Sequence, residues 1–205
     1  MAYRRTPAVQ ARLDKQRVDL VHAAASLLAD EGYAACSVAA VAARAGIAAG
    51  TVYKHFDSKA DLVAEVFRTV VSREVAAVRE AVEAESDVTG RVAAVVETFA
   101  GRALKSPRLA YALLTEPVDP AVDELRLEFR IAFRDIAAAA ISDGVRRGVL
   151  PPQNADVVAA ALVGAIGEAL GGPLAAGTDD ADTVPTLIQF AHRAIGAPVP
   201  KERAS

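Results

Sequence analysis

Apolar residues recur along most of the chain every three to four positions, the repeat of one helix face, and no stretch reads convincingly as a strand. The first block runs from about Asp14 to Asp30, with Leu20, Ala24 and Leu27 on one side and Gly32 as a stop. Ser37 then supplies a hydroxyl cap for a second helix that gathers Val38, Val41, Ala42 and Ala45 on one face and ends at Gly46. Ile47 opens a new direction, and Val52 and Phe56, four apart, form the buried side of a helix of about two turns. Ser58-Lys59-Ala60-Asp61 has the form of a capping box. The amphipathic helix it opens runs through Leu62, Val66, Val70, Ala77 and Val78 to about Glu85, a length of roughly 40 Å.

The pattern predicts five more helices, near Val88 to Leu104, Pro107 to Leu114, Pro120 to Arg147, Ala155 to Leu170 and Val184 to Ile195. Asp119-Pro120 sets a cap and a first-turn proline ahead of the longest of these, Arg146-Arg147-Gly148 closes it, and Pro151-Pro152 enforces a break. The fold class is therefore all-α. The segment from Val157 to Gly177 is apolar except for Glu168, but its run before that charge is shorter than the roughly 18 residues of a spanning helix, so it reads as a buried helix and no membrane partner is expected. Ala159, Ala160, Gly164, Ala165 and Gly167 make a smooth surface, and Val184, Leu187, Ile188, Ala191 and Ile195 a stripe. Close packing within one chain explains both; so does a symmetric homodimer, which is the expectation adopted.

Composition narrows the classes. At 205 residues and 53% hydrophobic content the chain can bury a core without staples. One cysteine, Cys36, excludes an internal disulfide, and His22, His55 and His192 offer no metal-ligand spacing, so no metal or cofactor is expected. The first residues lack the apolar core of a secretory signal, and a reducing cytoplasmic location is expected. There is no G-x-S-x-G elbow, phosphate loop, dinucleotide fingerprint or H-E-x-x-H pair, so no enzyme is predicted. Charge is uneven. Residues 1–60 carry 8 Lys/Arg against 5 Asp/Glu, whereas residues 61–205 carry 15 against 21, which suggests an anionic partner for the head alone.

Within that head the stretch GIAAGTVYKHF crowds Thr51, Tyr53, Lys54 and His55 around the buried pair Val52 and Phe56. These polar groups must occupy the outer face, where they match phosphates and base edges; a merely solvated face is the alternative. Gly50 removes a side chain where a large object must approach, and Lys59 lies at a helix start whose amides attract phosphate. Gly32-Tyr33 followed by SVAAVAARAGIAAGTVYKHFDSKADL resembles the DNA-binding region of TetR-family transcriptional regulators over about residues 14–65.

The resemblance implies an N-terminal helix-turn-helix domain over residues 14–60, a helical effector-binding and dimerisation domain over 61–198, a flexible basic arm over 1–13 and a tail over 199–205. It gives Ser37 a phosphate contact and makes Ala49, Gly50 and Thr51 the leading edge of the recognition helix. It assigns Tyr53, His55 and Lys59 to backbone phosphates and leaves sequence reading mainly to Ala49, Thr51 and Lys54. Ala48 departs from the family pattern, where many relatives carry a capping serine. Arg4, Arg5 and Arg12 suit an arm reaching a minor groove or a plain disordered tail. In the body, Phe67, Phe99, Tyr111, Phe129 and Phe133 are candidates for a ligand pocket, with core packing as the alternative, and Arg102, Arg130 and Glu168 are candidate polar contacts. The implied partners are double-stranded operator DNA, a small apolar or amphipathic effector and a second copy of the chain, and the implied activity is repression. A helical module with this shape that does not read DNA specifically is the rival.

Overall fold

The computed structural model describes residues 6–178 and 181–197, and the described residues form helices joined by short connections. They are α1 (Pro7–Ala35), α2 (Val38–Arg44), α3 (Ala49–Val52), α4 (Lys59–Ala84), α5 (Val88–Lys105), α6 (Pro107–Leu114), α7 (Pro120–Arg146), α8 (Ala155–Ala176) and α9 (Thr183–Ala194).

Serine caps set the starts where the pattern placed them. The Ser37 hydroxyl accepts from the Ala40 amide and the Ser58 hydroxyl from the Asp61 amide, each at 3.1 Å, satisfying donors that the first turn leaves free. Four expectations need correction. First, α1 begins at Pro7 rather than near Asp14, because Thr6 caps it and a first-turn proline is pre-set for helix. Residues 7–13 are thus helical; Arg12 sits exposed on α1, and Arg4, Arg5 and the 199–205 tail lie outside the described residues. Second, α3 is one turn, not two. Ala48 gives it no side-chain cap, and beyond Val52 the chain continues in tighter bonds, His55 N–H to the Val52 carbonyl at 2.9 Å among them. Third, Asp119 stands at the N-cap of α7 but its side chain makes no cap bond; the carboxylate is taken up elsewhere. Fourth, α8 runs through Pro173 to Ala176 instead of stopping near Leu170.

Two hydrophobic clusters hold the bundle. One is continuous from Leu20, Val41, Val52 and Phe56 through Leu62 and Phe67 to Leu113, Val122 and Phe133, so packing shows no break at residue 60. The other joins Val92, Val96 and Ala100 of α5 to Ile141 of α7, Leu162 and Ile166 of α8 and Ala191 of α9. The 26 residues of α4 span about 39 Å and belong to the head at one end and the body at the other. α8 is long and apolar enough to cross a membrane by length and composition. Here it packs its Ala159, Leu162, Ile166, Leu170 and Leu174 face inward and leaves Val157, Ala161 and Gly164 exposed, so it is buried on one side only.

Candidate nucleic-acid interface and effector cavity

The head is built around three helices and the start of α4. Gly46 turns the chain between α2 and α3 at φ 68°, a conformation other residues resist. The Ile47 amide bonds back to the Ala42 carbonyl at 3.0 Å, fixing that turn. Arg44 ties α2 to α1 by reaching the Ser26 hydroxyl at 2.8 Å, the Asp30 carboxylate and Glu31 at 3.1 Å. Val52 and Phe56 are fully buried, and their burial turns the short segment's polar side chains outward. Ala49, Gly50, Tyr53 and Lys54 are exposed, Tyr53 at 57%, and Thr51 is half-buried beside them. Ser37 lies exposed at the start of α2, its hydroxyl already accepting from Ala40.

His55 and Lys59 are placed differently from those four. The His55 ring meets the Gln16 side chain at 3.2 Å, and burial, with Arg17 and Lys54 nearby, pushes its pKa below the ordinary histidine value. The shift favours the neutral ring, which the Gln16 contact holds to α1. The Lys59 ammonium donates to the Tyr33 carbonyl at 2.9 Å and lies 3.8 Å from the centre of the Tyr33 ring. The half-buried ammonium expected on a phosphate is thus tied to Tyr33, beside the buried Cys36, whose thiol burial pushes up against the pull of Lys59.

Sequence reading overlooked Arg17. Its guanidinium donates to the His55 carbonyl at 3.0 Å, pairs with Glu65 at 3.0 Å and lies 4.4 Å from the Phe56 ring centre. One side chain of α1 thereby fixes the end of the recognition segment and the start of α4. Only an arginine fork makes all three contacts at once, and its helical spacing on a polar face gave no sign of the role.

In the body, a cavity of about 1390 Å³ opens between α4, α5, α6, α7 and α8. Phe67, Phe99, Phe129 and Phe133 line it, in two ring pairs: Phe67 and Phe129 with centres 5.7 Å apart, Phe99 and Phe133 5.0 Å apart and edge-on. Val70, Leu109, Leu113 and Val163 add aliphatic wall. Tyr111 does not join them. Leu109, Ala110, Leu113 and Leu114 take the cavity side of α6, so Tyr111 falls on the adjoining face and packs against the second cluster. Arg102 reaches the wall but is paired with Glu74 at 2.9 Å across α4 and α5, whereas Arg130 and Glu168 line the cavity as exposed side chains. Glu168, exposed, carries no burial penalty. Arg126 is the overlooked group here. It lines the cavity and donates to the carbonyls of Leu113 at 2.8 Å, Ala112 at 2.9 Å and Glu116 at 2.6 Å, closing the end of α6.

A capped helix, a glycine turn and an outward polar segment, carried on a helical body with a large apolar cavity, define a helix-turn-helix regulator. Residues 20–66 match the sequence profile of the bacterial regulatory proteins, tetR family. The chain is 31% identical over 137 residues to the HTH-type transcriptional repressor KstR2 of Rhodococcus jostii, covering 63% of this chain and 67% of that one. It is 36% identical over 86 residues to the HTH-type transcriptional activator FasR of Mycolicibacterium smegmatis, covering 42% of this chain and 39% of that one. The fold superposes at a TM-score of 0.76, with 17% identity, on FadR from Bacillus subtilis, solved in complex with stearoyl-CoA, over 89% of this chain and 99% of that one. The chain belongs to the TetR family of transcriptional regulators.

Proposed function

We propose that this regulator binds operator DNA through the outward face of residues 49–54 and is released from it by an apolar or amphipathic effector held in the body cavity, acting as a repressor in the cytoplasm. The observation that carries this reading is one helix, α4, whose first turns belong to the head core through Leu62 and Val66 and whose middle supplies Phe67, Val70 and Glu74 to the cavity wall. An apolar interior with charged side chains at its edges suits a ligand with a long hydrocarbon part and a polar end. The stearoyl-CoA complex of the structurally similar FadR makes a long-chain acyl thioester the first ligand to try. The smooth exposed face of α8, with Val157, Ala161 and Gly164, together with the half-exposed Phe190 of α9, supports a homodimer. Two recognition segments then address successive major grooves about 34 Å apart.

A mobility-shift series on the DNA upstream of the chain's own gene tests this. Specific binding should weaken with salt, each phosphate contact adding about 0.9 to the log–log slope. Stearoyl-CoA should weaken it further, and operator should weaken stearoyl-CoA binding by the same factor. Thr51→Ala or Lys54→Ala should narrow the gap between operator and random duplex by about 1–3 kcal/mol. Equal affinity for operator and random duplex at every salt concentration would favour the non-reading helical module instead.

A further inference from the structure

The cavity and the head share a wall segment. Residues 115–119 connect α6 to α7; Thr115 and Val118 line the cavity, while Glu116 and Asp119 face the head. The Glu116 carboxylate accepts the Tyr33 amide at 2.9 Å, and the Asp119 carboxylate accepts the Tyr33 hydroxyl. Both grips fall on a residue whose carbonyl and ring hold Lys59, the first residue of α4. The same carbonyl takes the Cys36 amide at 3.2 Å, ahead of the Ser37 cap of α2. From the cavity side, Arg126 bonds the Glu116 carbonyl, so the segment is tied to the cavity lining by a guanidinium whose side chain is only 11% exposed.

We propose that Tyr33, gripped by Glu116 and Asp119, is the positioning contact through which occupancy of the cavity reaches the helix-turn-helix head. A ligand that displaces Thr115, Val118 or Arg126 moves the two carboxylates with them. Tyr33 then loses its hold, and with it the anchorage of Lys59 and of the turn leading into α2. This inference rests on the reading of the cavity as the effector site. The long α4 alone could carry a motion along its axis, but it does not fix the junction of α1 and α2; the Tyr33 grip does.

Cys36, the chain's only cysteine, is buried three residues from Tyr33 and reports opening of this junction. The test is the rate at which a water-soluble aromatic disulfide labels it in the full chain, with no DNA present. Glu116→Ala should raise that rate by about threefold or more, because a buried amide has lost its acceptor. Thr115→Trp, which places bulk in the cavity at an exposed position, should raise it as well, and the double variant should label no faster than Glu116→Ala alone. If Thr115→Trp loses its helical circular dichroism, Val118→Phe, which also adds bulk to the cavity wall, takes its place with the same expectation.

Wild-type labelling rates in the cavity variants, an inert Glu116→Ala, or effects that multiply in the double variant would each overturn the proposal. A merely structural Glu116 would give that multiplication. Since the assay contains no operator, failure to bind DNA would count against the proposed function and leave this result standing.

Discussion

Tyr33 has a measurable signature of its environment. Burial first, and then the hydrogen bond to Asp119, push its phenol from the ordinary value near 10 up to about 12. The folded state thus holds the proton more tightly than the unfolded chain does. The stability this contributes is complete below pH 10 and is lost as pH rises from 10 toward 12. Spectrophotometric titration should show a late tyrosine step, which Tyr33→Phe removes. At this scale the sequence showed Val52 and Phe56 as buried, because their spacing alone requires it. It did not show that Lys59 would turn to Tyr33 or His55 to Gln16, because those partners lie 26 and 39 positions away.

Among the elements, the break in α1 carries the sharpest constraint. Gly32 sits at φ 81°, ψ −179°, a region that only glycine occupies without strain, and a Cβ there would lie 3.4 Å from the Glu116 carboxylate. Gly32→Ala should therefore cost about 1–3 kcal/mol in urea denaturation, from backbone strain before any contact is counted. The Ser37 and Ser58 caps and the proline-led starts of α6 and α7 were legible because a cap or a first-turn proline acts within three or four residues. Thr6-Pro7 carries the same signal at the start of α1, where the apolar stripe itself begins only further on. At α3, Ala48 offers no cap, and the helix there is a single turn.

For the whole molecule, the two hydrophobic clusters meet at the cavity: Phe99, half-buried in its wall, packs against both. The exposed α8 face is the surface on which a homodimer is proposed. Ala161→Glu, which sets a charge on that face away from the cavity lining, should shift sedimentation equilibrium toward the monomer and leave helical content unchanged. Taken alone, the sequence determined where the helices after α1 start, which faces most of them bury, and that an outward polar segment follows a glycine turn, since periodicity and capping are settled within a few residues. Only the tertiary structure decided that Tyr111 leaves the cavity its fellow aromatics line, that Arg126 seals α6, and that Glu116 reaches across 83 positions to Tyr33. Those pairings depend on the rotation and crossing of packed helices, and a small turn of one helix about its axis exchanges the residue facing a cavity for its neighbour.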